Sequence, residues 1–127
     1  MILGDISQEL KQVDIKMPIR VSDGTYIRKE FGSDRGDYHE MYLGFDMTNE
    51  SEKTIKTVGE LINLLEEAKK QGKMIGYKGG EYKIHDWTTV TIGSYGISGR
   101  EIWDVVVKNG TFYLIVGEYK FVEEWHD

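Results

Sequence analysis

Cysteine is absent from this chain of 127 residues. Its absence excludes disulfides, thiolate nucleophiles and any zinc site built on sulfur. Proline is nearly absent as well, and Pro18, the one present, marks a strand start or a sheet edge. Histidine is scarce: His39, His85 and His126 lack the i, i+4 helical spacing that lets two imidazoles share a metal. We read them as surface or strand residues and expect neither a metal nor a cofactor. No apolar run approaches the roughly 20 residues of a membrane span. The opening "MILGDISQELKQ" also lacks the basic segment and long apolar stretch of a secretory leader. A cytoplasmic protein with no membrane partner is expected.

Positive charge is in deficit. Lys and Arg total 16 against 22 Asp and Glu, a net charge of −6, and no basic block interrupts the chain. Basic residues supply most non-specific affinity for nucleic acid through counterion release, so no direct nucleic-acid partner is expected. A local basic pocket for a small anion is compatible with this balance. So is an acidic face that competes with nucleic acid for a basic protein.

The length suits one domain, 1–127, able to bury a core without covalent staples. Residues 1–12 form an N-terminal helix or arm, and within "GDISQELKQ" Asp5 or Ser7 is the expected N-cap. "VDIKMPIRVSDGTYI" reads as two short strands around a tight turn at Asp23-Gly24. In "YHEMYLGFDM" the alternation sets His39, Met41, Leu43 and Phe45 on one face and Tyr38, Glu40 and Tyr42 on the other, the pattern of a half-buried strand. "TVGELINLLEEAKKQG" is the principal helix, about 58–71. Thr57 and Glu60 stand at capping-box spacing, Leu61, Leu64, Leu65 and Ala68 form its stripe, Val58 and Ile62 widen it, and Gly72 ends it. Strands follow: a hairpin at Gly79-Gly80, the β-branched "WTTVTIGSYG", and a second hairpin at Asn109-Gly110 between apolar strands. The expected fold class is α+β: a twisted antiparallel sheet with one principal helix packed on it.

Chemistry concentrates in three glycine-containing stretches. "FGSDRGDYHEMYLG" sets Arg35 between Asp34 and Gly36, with Tyr38 and Tyr42 beyond. Arginine offers a planar fork of donors suited to phosphate, and tyrosine a face on which a base stacks. The competing reading is that Arg35 pairs with Asp34, Asp37 or a buried carboxylate and pins the turn. "GYKGGEY" places Tyr77, Lys78 and Tyr82 around adjacent glycines, whose backbone N–H groups can meet a phosphate or carboxylate. It lacks the Gly-Lys-Ser/Thr order of a phosphate-binding P-loop, and a hairpin supported by tyrosines is the plainer alternative. "SYGISGREI" is similar, with Arg100 just after Gly99. A Ser33–His39 dyad has no nucleophile-elbow motif behind it.

Taken together, "SDRGDYHEMYLGF", "TVGELINLLEEA" and "GYKGGEYKI" resemble a family of small bacteriophage-encoded proteins of mostly unassigned function. The family pattern is Ser-x-Arg-Gly-x-Tyr, a Thr-Val-led helix and Gly-Tyr-Lys-Gly-Gly. Here it falls on Ser33, Arg35, Gly36, Tyr38, Thr57, Val58 and the run Gly76, Tyr77, Lys78, Gly79 and Gly80, between about Pro18 and Val107. The chain departs from the pattern after Ile84, at "HDWTTVTIGSYG". The resemblance implies a phage protein acting in the host bacterial cell, of the kind that counters host defence. One class of such proteins sequesters nucleotide immune signals in pockets between subunits, and another blocks a defence protein directly.

The expectation is therefore a non-enzymatic binder of a small anionic nucleotide-like ligand, assembled as a homo-oligomer. Arg35, Lys78 and Arg100 would supply charge, and Tyr38, Tyr77, Tyr82 and Trp87 would supply stacking surfaces. The alternatives are an acidic protein–protein inhibitor and a hydrolase with a distributed site.

Overall fold

The computed structural model describes residues 1–33, 40–75, 80–94 and 97–117. The chain order is α1 (Leu3–Leu10), β1 (Ile19–Val21), β2 (Tyr26–Ser33), β3 (Glu40–Asp46), β4 (Thr54–Ile55), α2 (Val58–Gln71), β5 (Lys73–Ile75), β6 (Glu81–Lys83), β7 (Thr89–Ser94), β8 (Ile97–Glu101), β9 (Asp104–Lys108) and β10 (Thr111–Ile115). An α+β fold dominated by strands results.

The principal helix spans the expected residues. Val58, Leu61, Leu64, Leu65 and Ala68 are buried, and Gly72 closes the helix in the left-handed conformation (φ 73°) with its N–H on the Ala68 carbonyl. The capping box differs by one residue from expectation. The Glu60 amide donates to Thr57 Oγ1 (3.3 Å), but the Glu60 carboxylate accepts from Lys56 rather than Thr57 (2.9 Å). At α1 the structure corrects the cap. Ile2 holds that position and no side chain caps it. The amides of Leu3 and Gly4 instead donate to the carbonyls of Thr88 and Asp86 (both 2.8 Å), so the loop before β7 satisfies the helix start.

Among the described residues the expected antiparallel sheet is corrected to three sheets of mixed pairing. Five strands run in the order β4-β2-β3-β7-β8, three in the order β1-β10-β9, and β5 and β6 form a two-stranded ribbon. The β3–β7 and β1–β10 pairs are parallel. A parallel pair needs a long crossover, and between β3 and β7 the chain supplies one in α2 and the β5–β6 ribbon. β1 and β10 come from opposite ends of the sequence. Both expected hairpins pair as antiparallel ribbons. At Asn109 and Gly110 both φ angles are positive (51° and 76°), as a two-residue turn matching strand twist requires.

β3 is not half-buried. It lies between β2 and β7, and Met41, Leu43 and Tyr42 are all buried. Tyr42 stands opposite Gly32, and its ring occupies the space a side chain there would take: a Cβ on Gly32 would lie 2.8 Å from the ring. Both helices and the two larger sheets contribute to a single main core, from Leu3, Ile6 and Leu10 through Leu61 and Leu65 to Phe112 and Leu114. Among the described residues no helix is long and apolar enough to cross a membrane.

Candidate functional site

The turn between β1 and β2 builds one wall of the site. Asp23 Oδ1 accepts from the Thr25 amide (3.0 Å) and the Thr25 hydroxyl (2.6 Å), while Gly24 takes a φ of 96° that favours glycine. The reversal brings Tyr26 back beside Arg20, whose guanidinium lies 5.0 Å from the centre of the Tyr26 ring. Such a cation–π contact holds the guanidinium in place beside the ring.

β10 forms the floor. Its parallel register sets Ile19 beside Phe112 and Arg20 beside Tyr113. Ile19 and Val21 turn into the core, so strand alternation sends Arg20 to the opposite face, along with Tyr113 and Thr111. Lys56, just ahead of α2, completes the rim, and its carbonyl accepts the Ile19 amide (3.3 Å). The Lys56 ammonium forms no ion pair with the described residues. Together with Asn49, these residues enclose a cavity of about 200 Å³. Its lining holds two cations, two tyrosines, an amide and a threonine hydroxyl, and no carboxylate.

A second depression, of about 540 Å³, lies between α2, β2 and β5. It sets Glu30 and Glu67 against Lys29 over an apolar floor that includes Phe31, Leu64 and Met74. An anion entering there would meet two carboxylates, so the smaller cavity is the better match to a negatively charged ligand.

Four residues singled out in the sequence, Arg35, Tyr38, Tyr77 and Lys78, lie outside the described residues, as does His39. Ser33 and Ile75, after which those two stretches begin, both border the larger depression. The other three are on separate elements and none lines the cationic cavity. Tyr82, on β6, packs partly against the core. Trp87 is 80% exposed, with its ring edge-on to His85, whose Nδ1 accepts the Trp87 amide (3.2 Å). Arg100, on β8, is committed to the Asp23 carboxylate.

That ion pair ties the five-stranded sheet to the β1–β2 turn. Burial pushes the Asp23 carboxyl up, but hydrogen bonds from the Thr25 hydroxyl and amide, with the Arg100 guanidinium, outweigh it and hold the group below its ordinary 3.8. A carboxyl lowered on folding stabilises the native state above its unfolded value and loses that contribution as pH falls through the folded value. Asp23→Asn should therefore cost about 1–2 kcal/mol at neutral pH, a range discounted because Arg100 is half exposed. The gap from the parent should narrow as pH falls below about 3.8, where the unfolded chain's Asp23 takes up a proton before the native carboxyl does. Urea midpoints of both proteins between pH 7 and pH 3 measure it.

Arg20, Tyr26, Asn49, Lys56 and Tyr113 escaped sequence inspection. Alternation in "IRV" identifies Arg20 as facing away from the core. No local signal, however, announces that β1 pairs with a strand some 90 residues later. Among the described residues there is no cluster of His, Asp and Glu able to hold a metal ion. Comparison with protein-family models, with curated proteins and with solved structures finds no match.

Proposed function

We propose that the protein sequesters a small nucleotide-like anion, without cleaving it, in the cavity between β1, β2 and β10. One observation carries this reading: a chain of net charge −6 brings two cations and two tyrosines together in a cavity with no carboxylate in its lining. The Arg20 fork suits two phosphate oxygens and Lys56 adds a point charge. The Tyr26 ring supplies apolar surface for a flat base above a floor closed by the buried Tyr113, and the Asn49 amide can both donate and accept at a base or sugar edge. At about 200 Å³ the cavity admits a phosphoryl group and one ring, leaving the rest of a larger ligand outside. Its described lining offers no imidazole, thiol or carboxylate to act as a base or nucleophile, which favours capture over hydrolysis. In the phage setting that the sequence resembles, the captured compound would be a nucleotide immune signal.

Thermal-shift and calorimetric titration test the reading against nucleoside mono- and diphosphates, cyclic di- and trinucleotides and ADP-ribose. A ligand at a hundred times its Kd adds about 2.7 kcal/mol of stability, so at least one compound should raise the melting temperature clearly. It should then be recovered chemically intact after heat denaturation. No shift with any compound at millimolar concentration removes the proposal in favour of a protein-directed inhibitor. Recovery of an altered ligand would make the protein an enzyme.

A further inference from the structure

β9 is an edge strand: β10 pairs with one side of it, and no described strand pairs with the other. Its backbone directions follow from hydrogen bonds made by β10. The Phe112 amide donates to the Pro18 carbonyl (2.9 Å) and the Leu114 carbonyl accepts from Ser22 (2.9 Å), so both groups face β1. Their partners across the ladder, Val107 and Val105, are thus in pairs not hydrogen-bonded to β10, and they turn N–H and C=O toward the open side. Consistent with this, the Val105 amide is held by the Asp104 carboxylate (2.8 Å) and not by β10. The strand reads Asp-Val-Val-Val-Lys, without the proline, bulge or central charge by which exposed edges are usually protected, and Val107 is 49% exposed.

We propose that this edge pairs with the same edge of a second copy, in antiparallel register about a two-fold axis through Val106. The register is set by two independent features. Only residues with outward N–H and C=O can exchange hydrogen bonds, and centring on Val106 places Val105 opposite Val107 of the second copy, and the reverse. The same register sets Asp104 opposite Lys108 at both ends of the strand pair. Shifting by one residue turns the bonding groups away from each other, and shifting by two removes the charge complement. Pairing gives a continuous six-stranded sheet, β1-β10-β9 followed by its symmetry mate. Arg20, Tyr113 and Val106 already share one row across the three strands. The two cationic cavities then lie on the same face, with their Arg20 positions about 24 Å apart, five strand spacings of roughly 4.8 Å. This interface does not depend on what the cavity binds.

Light scattering and sedimentation of the full chain test it. The parent should be a dimer at micromolar concentration. Asp104→Lys sets like charges opposite each other twice and should raise the dimer dissociation constant by about tenfold or more. Adding Lys108→Asp to that variant should restore dimerisation. Val107→Pro removes an outward N–H without touching the β10 ladder and should yield a folded monomer with the parent's circular dichroism. Because the chain has no cysteine, Val106→Cys places a single thiol on the two-fold axis and should oxidise to a covalent dimer. A parent that stays monomeric to 100-fold higher concentration overturns the proposal. So does a dimer indifferent to both Asp104→Lys and Val107→Pro, or a Val106→Cys protein that fails to cross-link.

Discussion

Leu61→Asp should produce a protein with no cooperative thermal transition. Leu61 is completely buried on α2, within the core that joins both helices to the sheets. Truncating a buried leucine costs about 2–5 kcal/mol through lost burial and the cavity left behind. A carboxylate in that cavity then adds several kcal/mol, because no described cation is buried there to pair with it. The sum reaches the whole stability of a typical domain, about 5–15 kcal/mol. Asn63→Asp is the control, since Asn63 lies on the exposed face of the same helix and should melt within a few degrees of the parent. Circular dichroism melts decide it: a cooperative Leu61→Asp transition near the parent's would mean that α2 does not seal the core.

The helix was legible because its signals are local. Thr57, the stripe from Val58 to Ala68 and Gly72 all act within a turn or two, and the structure keeps each in its role. The Asn109-Gly110 hairpin was legible for the same reason. Decisions made at long range were not. The outward side of β3 is buried because Tyr42 finds a glycine, Gly32, across the ladder, and alternation alone cannot report a missing side chain on a neighbouring strand. The parallel pairs β1–β10 and β3–β7 escape notice likewise, since nothing in a short window says which distant strand will lie beside it. The candidate site falls on one of those pairs. The stronger local pattern in the sequence lies in the glycine-containing stretches rich in Arg, Lys and Tyr. Of the residues expected at the site, Arg100 pairs with Asp23, and Tyr82 and Trp87 lie apart from the cationic cavity.

Arg20→Ala separates the cavity from the glycine loops as the ligand site. If a bound anion takes a charge-assisted hydrogen bond from the guanidinium, removing it should cost roughly 1.5–3 kcal/mol of binding. That is about a tenfold to hundredfold rise in Kd. The fold should survive, because Arg20 lies outside the apolar core and its cation–π contact with Tyr26 contributes about 0.5–1 kcal/mol. Lys56→Ala should weaken the same ligand by about tenfold with little change in melting temperature, since the ammonium is exposed and holds no described ion pair. Both effects should shrink as salt rises and screens the two charges. Trp87→Ala, remote from the cavity, should leave affinity unchanged. Arg100→Ala should lower stability through the loss of its ion pair with Asp23 yet leave binding intact in the folded fraction. Titration of one nucleotide against all four variants, with Arg35→Ala beside them, reads the outcome directly. Loss of binding in Arg35→Ala with full binding in Arg20→Ala would move the site to the stretch around Arg35, and the reverse result would fix it between β1, β2 and β10.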